Sequence, residues 1–202
     1  QNEKIKNFFI NNKKSIIILI LILIISLFSF FGYTEYSDKK KKQISDHYNS
    51  AVIDYSNGSS DLIVEKLKKI IREKDPTYSP LALYFIIDND LVKNREEIND
   101  LFSIIIDKTS LENEIKNLII YKKALYNVDY IEENDLLKIL NPLINSDSIW
   151  KSHALYLIAE FFYFKNEKQK SKEFFNKIIS LEDSDEELRQ KAYRILNRDL
   201  SD

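Results

Sequence analysis

The chain has 202 residues and a mass of 24.0 kDa, which suffices for one domain and an additional segment. Hydrophobic residues make up 44% and charged residues 31%, which excludes a disordered chain, and two Gly and three Pro exclude collagen-like and linker-like sequences. With no Cys, the chain has no disulfide, no thiolate metal ligand and no Cys nucleophile. This composition favours an interaction protein over an enzyme.

The formal net charge of −2 is unevenly distributed along the chain. Residues 1–42 contain eight Lys and three acidic residues, which leaves +5, whereas residues 43–202 contain 22 basic and 29 acidic residues, which leaves −7. Proteins that bind nucleic acids usually present clustered positive charge. We therefore expect no nucleic-acid partner for the larger, acidic part.

Residues 15–33 form an apolar stretch, SIIILILILIISLFSFFGY, with no charge between positions 16 and 31. A helix that crosses the ~30 Å hydrocarbon core needs about 20 residues. The sequence therefore predicts a tail at 1–14, a transmembrane helix at 15–33 and a separate domain at 34–202. A cleaved signal peptide is the main alternative, but bulky Phe residues at 28, 30 and 31 stand where cleavage needs small ones. A buried core helix is the second alternative.

Lys residues on both sides of the span bear on its orientation. Four Lys precede it and Lys39–Lys42 follow it, so the positive-inside rule gives equal counts. Lys13 and Lys14 stand directly at the membrane edge, which favours a cytoplasmic N-terminus. The Lys39–Lys42 run either contacts anionic lipid headgroups or is a solvated helix face.

From Thr34 onward the apolar spacing is helical, and no alternating strand pattern occurs. Ser79 before Pro80 is interpreted as a helix N-cap, and Ser184 with Glu187 as a capping box. The first soluble helix is expected to continue the membrane helix outward. The predicted helical segments are 34–57, 60–73, 80–92, 95–107, 110–126, 132–144, 148–165, 167–181 and 185–199.

Turns within the predicted helix pairs recur every 36 residues, near Gly58, Asn94, Tyr130 and Asn166. A two-helix repeat of this length is typical of tetratricopeptide-like arrays. The predicted fold is therefore all-α, with one transmembrane helix followed by a tetratricopeptide-like solenoid of about four pairs and a C-terminal capping helix. An irregular helical bundle is the alternative.

The last pair fits this repeat best. The expected packing positions are Leu155, Ile158, Ala159 and Phe162 in its first helix, and Ser171, Phe175 and Ile178 in its second. Since the chain has 31 Ile and only 6 Ala, Ser171 is interpreted as a substitute for Ala. Earlier repeats are degenerate, with Lys123 at the position of Ala159 and Asp90 at that of Phe162.

No catalytic, cofactor-binding or metal-binding residue is predicted. His47 and His153 have no second His or Cys at ligand spacing, and only Gly32 and Gly58 exist to build a phosphate loop. Paired Glu residues are assigned to first turns of helices, where they favour the helix dipole. Some of the 12 Tyr residues are candidates for a concave peptide-binding surface. We expect neither a cofactor nor a small-molecule substrate. The paired Glu residues that are assigned to helix first turns are Glu96-Glu97, Glu132-Glu133 and Glu186-Glu187.

The full layout resembles the tetratricopeptide-like ancillary subunit of the bacterial Sec translocon. The local likenesses are Gly32-Tyr33 leaving the membrane, and a C-terminal run carried by Trp150, Ala154, Leu155, Ala159, Phe174, Phe175, Leu188, Arg189, Ala192 and Leu196. The scarcity of Ala and Gly and the Lys39–Lys42 run depart from the family pattern.

The resemblance implies a single-pass protein of the bacterial inner membrane, with a cytoplasmic N-terminus and a periplasmic domain. It implies association with the Sec translocon and periplasmic chaperones, to assist export and folding of secreted proteins, without a catalytic step. The alternative function is an envelope-organising or cell-division adaptor that uses the same array.

Overall fold

Helices make up nearly all of the described chain. The computed structural model describes residues 12–58 and 61–200, and no strand occurs in these ranges. The prediction of an all-α fold is confirmed, while residues 1–11 of the expected tail lie outside the described ranges. Within the described ranges there are nine helices: α1 Lys13–Ser56, α2 Asp61–Arg72, α3 Tyr78–Asp88, α4 Arg95–Lys108, α5 Asn113–Asn127, α6 Glu133–Ile144, α7 Lys151–Phe164, α8 Lys168–Ser180 and α9 Glu186–Arg198.

Helix α1 joins the apolar stretch to the rest of the fold without a break. Its 44 residues correspond to a length of about 66 Å at 1.5 Å per residue. The expectation that the first soluble helix continues the apolar helix is thus confirmed. From Ile17 to Tyr33 the side chains are exposed, and Phe28 reaches 75% exposure. By length and composition α1 is able to cross a membrane, as are many signal sequences.

The remaining helices pack in sequence, each against the next one along the chain. Contacts between next-but-one helices join α1 to α3, α5 to α7 and α7 to α9, while α2 contacts α4. Odd-numbered helices thus share one layer, and α2 and α4 lie side by side in the other. This arrangement of successive pairs, followed by α9, is that of a helical array.

The repeat is less regular than 36 residues. The second helices of the four pairs begin at residues 61, 95, 133 and 168, so the intervals are 34, 38 and 35 residues. In α5 the predicted equivalent of Ala159 is Lys123, whose side chain is only partly buried. Ala124, and not Lys123, is the fully buried small residue of α5.

A residue in the left-handed backbone conformation follows the first helix in three of the four helix pairs. Gly58 has φ 88° and Asn166 has φ 60°, and both stand where the sequence predicted a turn within a helix pair. In the second pair Asp90, with φ 51°, takes this role. Asn94 instead precedes α4 in extended conformation, and its side chain accepts a hydrogen bond from Glu97 N at 3.2 Å.

The capping residues predicted for α3 and α9 differ from the observed capping residues, by four residues in α3 and by one residue in α9. Ser79 is inside α3 and fully buried, and its hydroxyl donates to the Ile70 carbonyl at 3.0 Å. Asp75 caps α3, since its carboxylate accepts from Thr77 N and Tyr78 N. Similarly, Asp185 and not Ser184 caps α9, by accepting from Leu188 N at 3.0 Å. In both turns a carboxylate outcompetes the neighbouring hydroxyl as acceptor.

All seven packing positions predicted for the last pair are buried. Phe175 and Phe162 belong to two adjoining clusters of this core. Phe175 packs with Ala159, Ala192 and Tyr156, whereas Phe162 lies in the adjoining cluster and stacks on Phe174 with ring centroids 5.6 Å apart.

Candidate functional site

An apolar groove runs between α5 and α7 in the odd-numbered layer. It encloses about 410 Å³. The side chain of Phe164 is 81% exposed at its edge and that of Leu125 is 43% exposed. Apolar clefts of this size with a few polar groups are the usual form of a binding site. We call it the α5–α7 groove, and its lining residues are Leu125, Val128, Asp129, Leu157, Glu160, Phe161, Phe164 and Lys165.

Helical spacing explains how these side chains come together. Leu157, Phe161 and Phe164 follow one another at intervals of four and three residues, which places them on one face of α7. On α5, Leu125 lies one turn beyond Tyr121. Because α5 and α7 pack side by side, the two faces form the walls of one groove.

Glu160 is the half-buried carboxylate of this groove. Burial raises its pKa above the ordinary value of 4.5, while a hydrogen bond from Tyr156 and the positive charge of Lys191 oppose that change. Tyr121 and Tyr156 have raised pKa values because of burial and the nearby Glu160, and that of Tyr156 reaches about 12. A carboxylate held in an apolar groove is suited to receive a positively charged or hydrogen-bond-donating group.

An aromatic cluster lies beside Glu160. The rings of Tyr121 and Trp150 stack with centroids 5.8 Å apart, and His153 lies 5.2 Å from Trp150. His153 Nδ1 is buried and has no hydrogen-bond partner among the described residues. His153 thus belongs to the aromatic cluster through its contact with Trp150.

Tyr84 lies on α3, where that helix approaches α5. The ammonium group of Lys122 lies over its ring, 4.5 Å from the centroid. Burial, with a contribution from Asp88, raises the pKa of Tyr84 to about 12. Tyr84 and Tyr121 are thus two half-buried Tyr side chains on α3 and α5 of the odd-numbered layer. The expectation that Tyr side chains line a concave peptide-binding surface stays a prediction.

The other candidates for chemistry are separate from this groove. His47 is exposed on α1 and lines a cavity with Lys66 and Lys69 of α2. Within residues 12–58 and 61–200, no group of three His, Asp or Glu side chains is placed to hold a metal ion. The acid pairs lie at helix starts as predicted, for example Glu96-Glu97 in the first turn of α4.

The sequence did not single out the groove residues as binding residues, although one signal was available. Residues 161–164 are four consecutive aromatics, Phe-Phe-Tyr-Phe. Consecutive helical positions differ by 100° in direction, so four of them cannot all face the core. Phe161 and Phe162 are buried, and Phe164 is the one left at the surface.

No protein-family model, no curated protein and no solved structure matches this chain. The class defined by the fold is an all-helical protein in which a long apolar helix near the N-terminus is followed by paired helices. No family is identified beyond this class.

Proposed function

We propose that the protein is a membrane-anchored scaffold whose helical array binds other proteins. In this proposal residues 15–33 cross the bacterial inner membrane, the N-terminus is cytoplasmic and the array lies in the periplasm. The array associates with the Sec translocon and periplasmic chaperones and assists the export and folding of secreted proteins. It carries out no catalytic step.

The observation that carries the proposal is the continuity of α1. A single unbroken helix contains both the exposed apolar stretch and the residues that pack the first pair, among them Ile44 and Ala51. Exposed apolar surface of this extent requires a lipid or protein environment. A rigid connection to the array holds that array close to the membrane, where exported chains emerge.

The α5–α7 groove supports the binding part of the proposal. Exported chains are unfolded as they emerge, so they expose apolar side chains that match Leu125, Phe161 and Phe164. Glu160 favours segments that also carry a basic residue or free backbone N–H groups. The translocon association itself comes from the resemblance described above, in particular the run from Trp150 to Leu196.

Crosslinking in native membranes tests this function. A photoreactive residue replaces Phe164 at the groove, and the matched control carries it at Tyr193, an exposed aromatic residue of α9 outside the groove. We expect translocon subunits or periplasmic chaperones among the adducts from position 164 and depletion of both at position 193. Recovery of neither from position 164 would contradict the proposal. Adducts with division proteins alone would support the envelope-organising alternative.

A further inference from the structure

Basic side chains from two different elements meet at one end of the array. Lys39–Lys42 lie on α1, and Lys69, Arg72 and Lys74 lie at the end of α2 and in the turn that follows. An ion pair between Lys40 Nζ and the Glu73 carboxylate, 3.3 Å apart, joins the two elements. We call the seven residues Lys39, Lys40, Lys41, Lys42, Lys69, Arg72 and Lys74 the basic collar.

The antiparallel packing of α1 and α2 places this collar on the side of the apolar stretch. At the middle of α2, Lys66 pairs with Asp54 at 2.7 Å, close to the C-terminal end of α1. Directly after α2, the Glu73 carboxylate pairs with Lys40, which is closer to the apolar stretch of α1. The hydroxyl of Tyr78 also donates to Ser45 Oγ at 2.8 Å, which fixes the α2–α3 turn at this level.

The rise of α1 sets the distance of the collar from a membrane. With Tyr33 at the edge of the hydrocarbon core, Lys39–Lys42 follow at ~9–14 Å along the helix axis. Headgroups extend about 5–8 Å beyond that edge, so the collar begins within one Debye length of ~8 Å of their outer boundary. Because α1 is continuous, flexing of a linker cannot change this spacing.

The charge of the collar differs in sign from that of the rest of the array. The acidic residues within the two collar segments are Glu35, Asp38, Glu73 and Asp75, so residues 35–42 and 69–75 together carry +3. Residues 43–68 and 76–202 carry −8. An anionic surface therefore attracts this end of the array and repels the remainder.

We propose that the basic collar binds anionic lipid headgroups and thereby holds the α2–α3 end of the array against the bilayer surface. The proposal rests on the anchoring of α1 in a membrane, which is part of the proposed function. It is independent of which protein the α5–α7 groove binds.

Fluorescence quenching on the full chain tests this contact. The chain contains no Cys, so Thr77→Cys introduces a unique labelling position in the exposed α2–α3 turn. The labelled protein is reconstituted in vesicles of phosphatidylcholine alone or with phosphatidylglycerol, each with a trace of headgroup-quencher lipid. We expect stronger quenching in the anionic vesicles and its loss at high salt.

Charge removal provides the matched comparison. Replacing Lys39–Lys42 with Gln is expected to lower the ratio of docked to undocked arrays by at least about tenfold. The double variant Arg72→Gln/Lys74→Gln is expected to act in the same direction, although it leaves the α1 run intact. The control removes four exposed charges elsewhere in the array and should leave quenching unchanged. Its substitutions are Lys108→Gln, Lys138→Gln, Lys168→Gln and Lys177→Gln, all outside the α5–α7 groove.

Flotation of the vesicles separates failure of the anchor from failure of the collar. A chain that does not float with either vesicle lacks the anchor, which overturns this proposal and the proposed function together. A chain that floats but is quenched equally in both lipids overturns the collar alone. Equal effects of the collar and control variants would also overturn it.

Discussion

Ser171 illustrates how a polar residue fills a position that needs a small one. Its side chain is fully buried where α8 meets α7, and its hydroxyl donates to the Ala159 carbonyl at 2.9 Å. A buried hydroxyl without a partner would be costly, so this hydrogen bond makes Ser acceptable in place of Ala. The interpretation of Ser171 as a substitute for Ala is therefore supported by its burial.

Asn99 and Asn127 form a pair of side-chain hydrogen bonds within the array. Each side-chain amide donates to the carbonyl oxygen of the other, at 2.9 and 2.8 Å, and Asn127 is 2% exposed. Arg95 lies over the Tyr130 ring at 3.4 Å and donates to the Tyr126 carbonyl. These groups join α4 to α5 and to the turn after it, through contacts that the apolar periodicity of the sequence does not reveal.

Glu160→Gln is expected to change how stability depends on pH. Because burial raises the pKa of Glu160, the folded chain retains its proton at pH values where the unfolded chain has lost it. The free energy of unfolding of the unchanged protein therefore falls as pH rises through the interval above the ordinary value of 4.5. Glu160→Gln removes that dependence, so the variant should be the more stable protein at about pH 7 and gain nothing at about pH 4.

Thermal unfolding of residues 39–202 at both pH values measures this difference. The control is Glu182→Gln, since Glu182 is an exposed residue of the α8–α9 turn. A variant with the same advantage at both pH values would show that the Glu160 carboxyl is not the cause.

At the scale of single helices, two Phe residues of the last pair separate packing from recognition. Phe175 is fully buried between α7, α8 and α9, whereas Phe164 is 81% exposed. Phe175→Ala should lower the free energy of unfolding by ~3–5 kcal/mol, through lost burial and the cavity left behind. Phe164→Ala should leave stability nearly unchanged and weaken partner crosslinking from a photoreactive residue placed at Leu125, on the other wall of the groove.

Hydrogen exchange locates the effect of Phe175→Ala. Because each pair contacts only its neighbours, exchange should accelerate in residues 151–198 while residues 61–108 change little. Uniform acceleration over both ranges would show that the array unfolds as one unit. Unaltered exchange with reduced partner binding would identify Phe175 as a recognition residue instead.

The stability of the first helix pair depends on contacts of Ile44 and Ser45 in α1. Ile44 is buried against α2 and α3, and Ser45 accepts a hydrogen bond from Tyr78. Residues 39–202 should therefore form a helical fragment that unfolds cooperatively, and residues 46–202 should melt at a lower temperature. Circular dichroism on the two fragments measures the difference. Equal melting temperatures would mean that Ile44 and Ser45 contribute no stability.

At the scale of the whole molecule, periodicity predicted the array more reliably than its details. The apolar spacing identified the helix pairs, because each helix must bury one face against its neighbours. It did not identify the caps at Asp75 and Asp185, because several adjacent residues compete for the same backbone N–H groups. It also did not predict the α5–α7 groove. That groove exists because α5 and α7 lie side by side, and apolar periodicity within one helix does not show which other helices it contacts.

The proposed function requires that α1 cross the membrane once, with the array outside the cytoplasm. The most direct measurement is an alkaline phosphatase fusion to the C-terminus of the full chain, because that enzyme is active only after export. We expect an active phosphatase and a non-fluorescent fusion when green fluorescent protein replaces it. An inactive phosphatase together with a fluorescent protein fusion would place the array in the cytoplasm and contradict the proposed function.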